Sequence, residues 1–297
     1  MLSPGPPPSA RDPFAHATPS GQAGGGGRAT LQLVRGRRVP LVQARIAGQP
    51  TLLLVDTGAY DHLLEGWFAR VLQDADATGR SATVVDHANR TVVVDRWSQV
   101  SFIIDGWNAI APIRPLVTGD ASPGPRALGI GGILSPQRLA LGGASVVLDF
   151  PSGAMTSVDE ATATAQLDAH PTSLGAALRC GATFAIDATI EGKGARLLVD
   201  TGAFSTDLKA TSAPGRALAG RTSVSARDIY AVGGAVATRT LGDAELKIGR
   251  LSVKLDIPLV LDHPRAARCP SDGVLGMDVL EKCVLVVDEM KMRIACD

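Results

Sequence analysis

The sequence predicts an all-β chain folded as two homologous, barrel-like lobes related by a pseudo-twofold axis. Three observations predict it: short apolar runs punctuated by glycine, an internal repeat, and one tetrapeptide that recurs in both copies.

The 33 glycines interrupt runs of Val, Leu and Ile that are too short for long helices, and this pairing suits many short strands joined by tight turns. A length of 297 residues is enough for two separate cores. The formal net charge is zero, so the chain carries no electrostatic footprint for nucleic acid or an anionic membrane. No stretch approaches the roughly 20 apolar residues that span a bilayer, so no membrane span is expected. Arg outnumbers Lys and Ala is abundant, a bias typical of GC-rich bacterial genomes. Residues 1–27 have no apolar signal core; Pro4, Pro6–Pro8 and Gly24–Gly27 read as a disordered leader. Such a leader fits either the mature start of an exported protein or a cytosolic tail, with a periplasmic or secreted location favoured.

The repeat appears when the chain is slid by 144 positions. Ile46–Leu64 then falls on Ile190–Leu208 without a gap, and ten of the 19 positions are identical. The same offset lays the hairpin pattern of Asp86–Gly106 over Tyr230–Arg250, with turns expected at His87–Arg90 and Ala231–Gly234. With a small gap, Gly132–Leu139 falls on Gly273–Leu280. The expected division is a first lobe over 28–155, a linker with one helical turn over 156–173, and a second lobe over 174–297. Regular short strands with turn signals between them argue for mostly β, barrel-like lobes.

Each copy carries three apolar residues followed by Asp-Thr-Gly-Ala: Asp56, Thr57, Gly58 and Ala59, then Asp200, Thr201, Gly202 and Ala203. An Asp at the end of a buried strand is costly unless its carboxylate is hydrogen-bonded or shares a proton. Thr supplies a hydroxyl to brace the loop, Gly a tight turn with its amide near the carboxylate, and Ala leaves no bulk against the opposing lobe. A single copy is no more than a turn. Two copies on one pseudo-twofold axis bring Asp56 and Asp200 together, because residues near such an axis meet their own counterparts. Two carboxyls about 3 Å apart hold one proton between them, and such a pair can activate water without metal, cofactor or covalent intermediate.

With these residues the chain resembles the retropepsin-like and pepsin-like aspartic proteases, over nearly everything from Arg28 onward. The two DTGA segments match the family's catalytic triplets, and Asp272-Gly273-Val274-Leu275-Gly276 matches its apolar-apolar-Gly motif. The counterpart Gly132-Ile133-Leu134-Ser135 has Ser where the family has Gly. The resemblance implies the acid-protease fold, a monomer acting as an intramolecular pseudo-dimer, and a peptide or protein substrate. It places substrate-covering hairpins around His87–Arg90 and Tyr230–Gly234, either or both of which could cover the cleft. Asp61, Ser205, Asn89, Tyr230, Gly233 and Gly234 are therefore candidate substrate-binding residues. Pepsin-like enzymes follow DTG with a hydroxyl residue; Ala59 and Ala203 instead match retroviral proteases, which implies an optimum nearer about pH 5–6 than 2–3.

Beyond the family motifs, Asp288–Lys291 reads as a hairpin turn that sets Cys283 opposite Cys296, within disulfide range. That would leave Cys180 and Cys269 as a second pair; four reduced thiols is the alternative. His62 is expected at the cleft rim, although Thr206 holds the matching place, and Tyr60 and Phe204 are expected to pack symmetrically. Trp67, Trp97 and Trp107 are expected in core packing. Three functions fit: an aspartic endopeptidase, a non-catalytic duplicated peptide-binding module, or an acid–base hydrolase of a non-peptide substrate such as a glycosidase. A retaining glycosidase separates its carboxyls by about 5–5.5 Å, wider than a shared-proton pair.

Overall fold

The computed structural model describes residues 27–33, 39–72, 77–85, 91–107, 112–119, 126–140, 144–181, 183–221, 229–231, 234–260, 270–288 and 290–297. The expected leader, apart from Gly27, lies outside them. Within them the chain is mostly strand, as expected, with short helices at the edges.

Each lobe is built on the same hairpin. Strand Pro40–Ile46 turns through Ala47 and Gly48 into Gln49–Val55, and Thr183–Ile190 turns through Glu191 and Gly192 into Lys193–Val199. All four turn residues have positive φ, the geometry that a two-residue hairpin loop requires. The pairings repeat with the sequence offset. Ile46 lies opposite Gln49 on one side and Phe102 on the other, while Ile190 lies opposite Lys193 and Leu246. Adding 144 converts one set into the other. The segment Ile130–Leu134 then runs parallel to Gln49–Val55, and Gly273–Leu275 runs parallel to Lys193–Val199. Each DTGA loop thus leaves the end of a strand flanked on both sides.

In the second lobe six strands close into a barrel: 183–190, 193–199, 273–275, 207–209, 251–260 and 238–248, which returns to the first through Thr189↔Lys247. The first lobe is a nine-stranded sheet in which hairpin Ala77–Val85/Thr91–Trp97 joins the remainder through Leu116–Val117. Its lobe-two counterpart, Ile229–Ala231/Gly234–Val236, forms a two-stranded sheet of its own. Both hairpins lie where the repeat puts them; the turn residues 87–90 and 232–233 lie outside the described residues. Trp67, Trp97 and Trp107 pack against the main core, as expected.

One sheet unites the lobes. Ala154–Val158 and Ser145–Asp149 of the first lobe continue into Cys283–Val287, Met292–Cys296 and Thr172–Cys180 of the second. The runs Ser145-Val-Val-Leu and Cys283-Val-Leu-Val-Val are buried throughout because both faces are covered. Val146, Leu148, Leu285, Val287 and Ile294 face the main core, while Val147, Val284, Val286 and Ala295 face a separate cluster. That split is the period-two alternation of a strand.

The second cluster is completed by Ala163 and Leu167 of helix Glu160–Asp168, which corrects the expectation for 156–173. The segment is not a linker with one turn: it ends one strand, forms a nine-residue helix and starts another strand at Thr172. Asp159 caps the helix by accepting the Thr162 N–H at 2.7 Å. Only two apolar residues, four apart, face the sheet, so the Ala/Thr-rich sequence shows almost no amphipathic stripe. Cys283 lies opposite Cys296 and is bonded to it. Cys180 is also disulfide-bonded, and its expected partner Cys269 lies outside the described residues.

Candidate active site

The two DTGA loops meet on a lattice of four hydrogen bonds. Thr57 Oγ1 donates to the Val199 carbonyl at 2.8 Å and accepts the Thr201 N–H at 3.1 Å. Thr201 Oγ1 donates to the Val55 carbonyl at 2.7 Å and accepts the Thr57 N–H at 3.0 Å. Both threonines are fully buried. Each hydroxyl therefore braces the opposite lobe's loop rather than its own, which sharpens the role that sequence alone assigns it. Buried bonds of this kind are costly to leave unmade, so the lattice holds the loops in one relative position.

Above the lattice stand the carboxyls. Asp56 Oδ1 accepts the Gly58 and Ala59 N–H groups at 2.7 and 3.1 Å; Asp200 Oδ1 accepts those of Gly202 and Ala203 at 2.8 and 3.2 Å. Each glycine faces the other lobe's carboxyl: a Cβ on Gly58 would lie 2.6 Å from Asp200 Cγ, and one on Gly202 2.6 Å from Asp56 Cγ. No side chain fits at either position. The two carboxyls therefore face each other across the axis, and Asp56 is held well above the ordinary carboxylate range. Burial is the main cause, followed by Asp200 through its charge and its side chain, against the opposing pull of the loop amides.

Away from the axis the lobes differ. In the second, the Thr206 hydroxyl accepts the Gly276 N–H at 3.1 Å and is anchored by Asp278 Oδ1 at 2.7 Å. In the first, His62 takes that place: its Nδ1 accepts the Ser135 N–H at 3.2 Å. His62 is buried, not at the cleft rim, and burial together with the Arg138 charge lowers its pKa to about 3. It is a neutral brace. Ser135, at the family's Gly position, is buried, and its backbone differs from that of Gly276, with ψ 112° against −175°.

Asp61 is also buried; it accepts the His62 N–H at 2.9 Å and the Arg138 Nε–H at 3.2 Å, with an Arg96 guanidinium nitrogen 3.9 Å away. Its carboxylate is thus committed to bracing the loop. Ser205 is half-buried, its backbone against Gly276. Tyr230 and Gly234 belong to the two-stranded ribbon, with Tyr230 opposite Ala235; Asn89 and Gly233 lie outside the described residues. Sequence reasoning missed Arg96, Gln137, Arg138 and Asp278. The repeat could have found Asp278 and Gln137, which share a place in the aligned turns; the Gln137 side-chain amide donates to the Thr57 carbonyl. Tyr60 and Phe204 do not pack alike. Tyr60 joins the cluster of Leu63, Val84, Val94 and Leu116, whereas Phe204 is 45% exposed.

Two β lobes whose DTGA loops present paired carboxyls define the aspartic protease class. Residues 186–279 match the family described as aspartyl protease. The fold is similar to that of the aspartic proteinase from Irpex lacteus: 14% identity over 92% of this chain and 97% of that one, with a TM-score of 0.53. No curated protein matches the chain by sequence. The family match thus lies in the second lobe, and the structural likeness extends a shared pepsin-like fold over 92% of the chain.

Proposed function

We propose that the protein is an aspartic endopeptidase whose two lobes arose by duplication and whose Asp56 and Asp200 act as one dyad. The observation that carries this reading is the crossed geometry of the two loops, each carboxyl lying against the glycine of the other DTGA segment, with Asp56 shifted toward its protonated form. The pair holds one proton. Its ionised carboxylate takes a proton from water as the oxygen attacks the peptide carbonyl, and its protonated member donates to the carbonyl oxygen. As the C–N bond of the resulting diol breaks, the dyad gives a proton to the leaving amine and takes one from a diol hydroxyl, which becomes the new carboxyl's carbonyl, so the pair again holds one proton. The roles belong to the pair, since coupled groups titrate together. The close crossing of the loops, which leaves no room for a Cβ between either glycine and the facing carboxyl, supports this reading over a glycosidase, which needs a wider gap. Retention of both carboxyls in a costly buried setting supports it over a non-catalytic peptide-binding module.

The Cys283–Cys296 bond and the bonded Cys180 support a periplasmic or secreted location, since disulfides persist in oxidising compartments. Both halves of the dyad come from one chain, so a monomer is sufficient. Pepstatin-sensitive cleavage of a diverse peptide library over about pH 3–7 tests the function. Asp56→Asn and Asp200→Asn should each abolish it; retained cleavage by either variant refutes the shared dyad.

A further inference from the structure

A peptide has a direction, but a dyad on a pseudo-twofold axis presents the same chemistry to a chain laid across it either way. Something off the axis must distinguish the two orientations. The first residues beyond the DTGA segments are Tyr60 and Phe204, twins under the repeat. Tyr60 is half-buried and packs against the cluster of Leu63, Val84, Val94 and Leu116, to which the lobe-one hairpin contributes Val84 and Val94. Phe204 is the exposed member of the segment 200–206, in which every other residue is buried or half-buried.

Phe204 is also held on both sides. The Ala203 carbonyl before it accepts the Met277 N–H at 2.8 Å, and the Ala203 N–H donates to Asp200. Thr206 beyond it is anchored by its N–H and its hydroxyl, both donating to Asp278. A single exposed apolar residue needs no special explanation. An aromatic ring on a fixed backbone, four residues from Asp200 and with its twin packed against a cluster, is a different matter. It is a preorganised apolar anchor present on one half of the site only.

We propose that Phe204 is a specificity-determining residue: it contacts an apolar side chain of the substrate on one side of the scissile bond and thereby sets the direction in which the peptide binds. This rests on the peptidase reading for its consequence, but it can be tested by binding alone. The Asp56→Asn variant, with and without Phe204→Ala or Phe204→Leu, is used to capture peptides from a diverse library; wild type is assayed for cleavage in parallel. The expected result is retention of peptides enriched for an apolar residue at one fixed position. Phe204→Ala should weaken those peptides about tenfold, equivalent to ~1.4 kcal/mol, and Phe204→Leu should largely restore them. Equal retention with Phe204→Ala, loss of every preference at once, or no retention by Asp56→Asn itself overturns the proposal. Absence of cleavage by wild type with Phe204-dependent retention intact sinks the peptidase reading and leaves this one standing.

Discussion

Replacing Gly58 by alanine tests the geometry of the dyad more directly than removing a carboxyl does. The new methyl carbon would lie 2.6 Å from both Asp200 Cγ and Asp200 Oδ2, whereas ordinary contact begins near 3.4 Å, so one group must move by about 0.8 Å. The loop cannot readily retreat. The Gly58 N–H is committed to Asp56 at 2.7 Å, and Thr57 beside it is tied to Val199 and Thr201. The Asp200 carboxyl is therefore displaced, and misplacement on the order of 1 Å costs roughly a hundredfold in rate. Stability should change much less: overpacking costs about 1–3 kcal/mol, partly offset by ~0.4–1 kcal/mol from the stiffer unfolded chain. Gly202→Ala is the mirror experiment, with its methyl 2.6 Å from Asp56 Cγ. Measured as kcat on an apolar peptide, with folding checked by circular dichroism and urea midpoint, both variants should lose about a hundredfold. Cleavage by either within about threefold of wild type would show that the glycines do not set the spacing of the pair.

The raised Asp56 pKa gives a pH prediction with a definite sign. Such a carboxyl contributes stability that is complete below its unfolded value and is lost as pH climbs through the folded value. Activity should peak near about pH 5–6 and fall above it as the shared proton leaves, and a rate profile peaking below about pH 3 would contradict this. Asp56→Asn cannot ionise and should flatten the decline of the urea midpoint over the same range. Thr57→Val and Thr201→Val each strand one buried carbonyl and one buried N–H across the lobe boundary. Each should cost about 2–4 kcal/mol in urea unfolding, and markedly unequal losses would argue against a symmetric lattice. Replacing Cys283 and Cys296 by serine opens a crosslink of sequence separation 13 and should cost about 3 kcal/mol, read as a lower thermal midpoint.

What was legible in the sequence was whatever the repeat wrote twice. Asp56, Asp200 and the hairpins follow from an offset of 144, and the hairpin registers reproduce it pair for pair, while the strand behind each loop follows from the same repeat after a small gap. The Cys283–Cys296 bond followed from hairpin arithmetic alone. Features present once were missed. His62 read as a polar residue near the cleft because nothing local shows that its ring replaces a threonine hydroxyl in an interior turn. Asp61 and Arg138 lie 77 positions apart, and only the tertiary fold brings their opposite charges together. The helix Glu160–Asp168 escaped because two small contacts on a sheet suffice to dock it, too few to print a periodic signal.

The sheet shared by the lobes also bears on how the paired site comes into being. Its seam joins Val146 to Val287 and Asp149 to Val284, partners that lie far apart along the chain, the second of each pair being encoded after both aspartates. Contacts of such long range form late in folding, because the intervening chain must be closed first. Each lobe can collapse around its own hairpin while its single aspartate remains chemically idle. The dyad comes together only when the seam closes, so the nascent chain carries no assembled proteolytic centre during the interval in which its own unfolded segments would be easiest to cut.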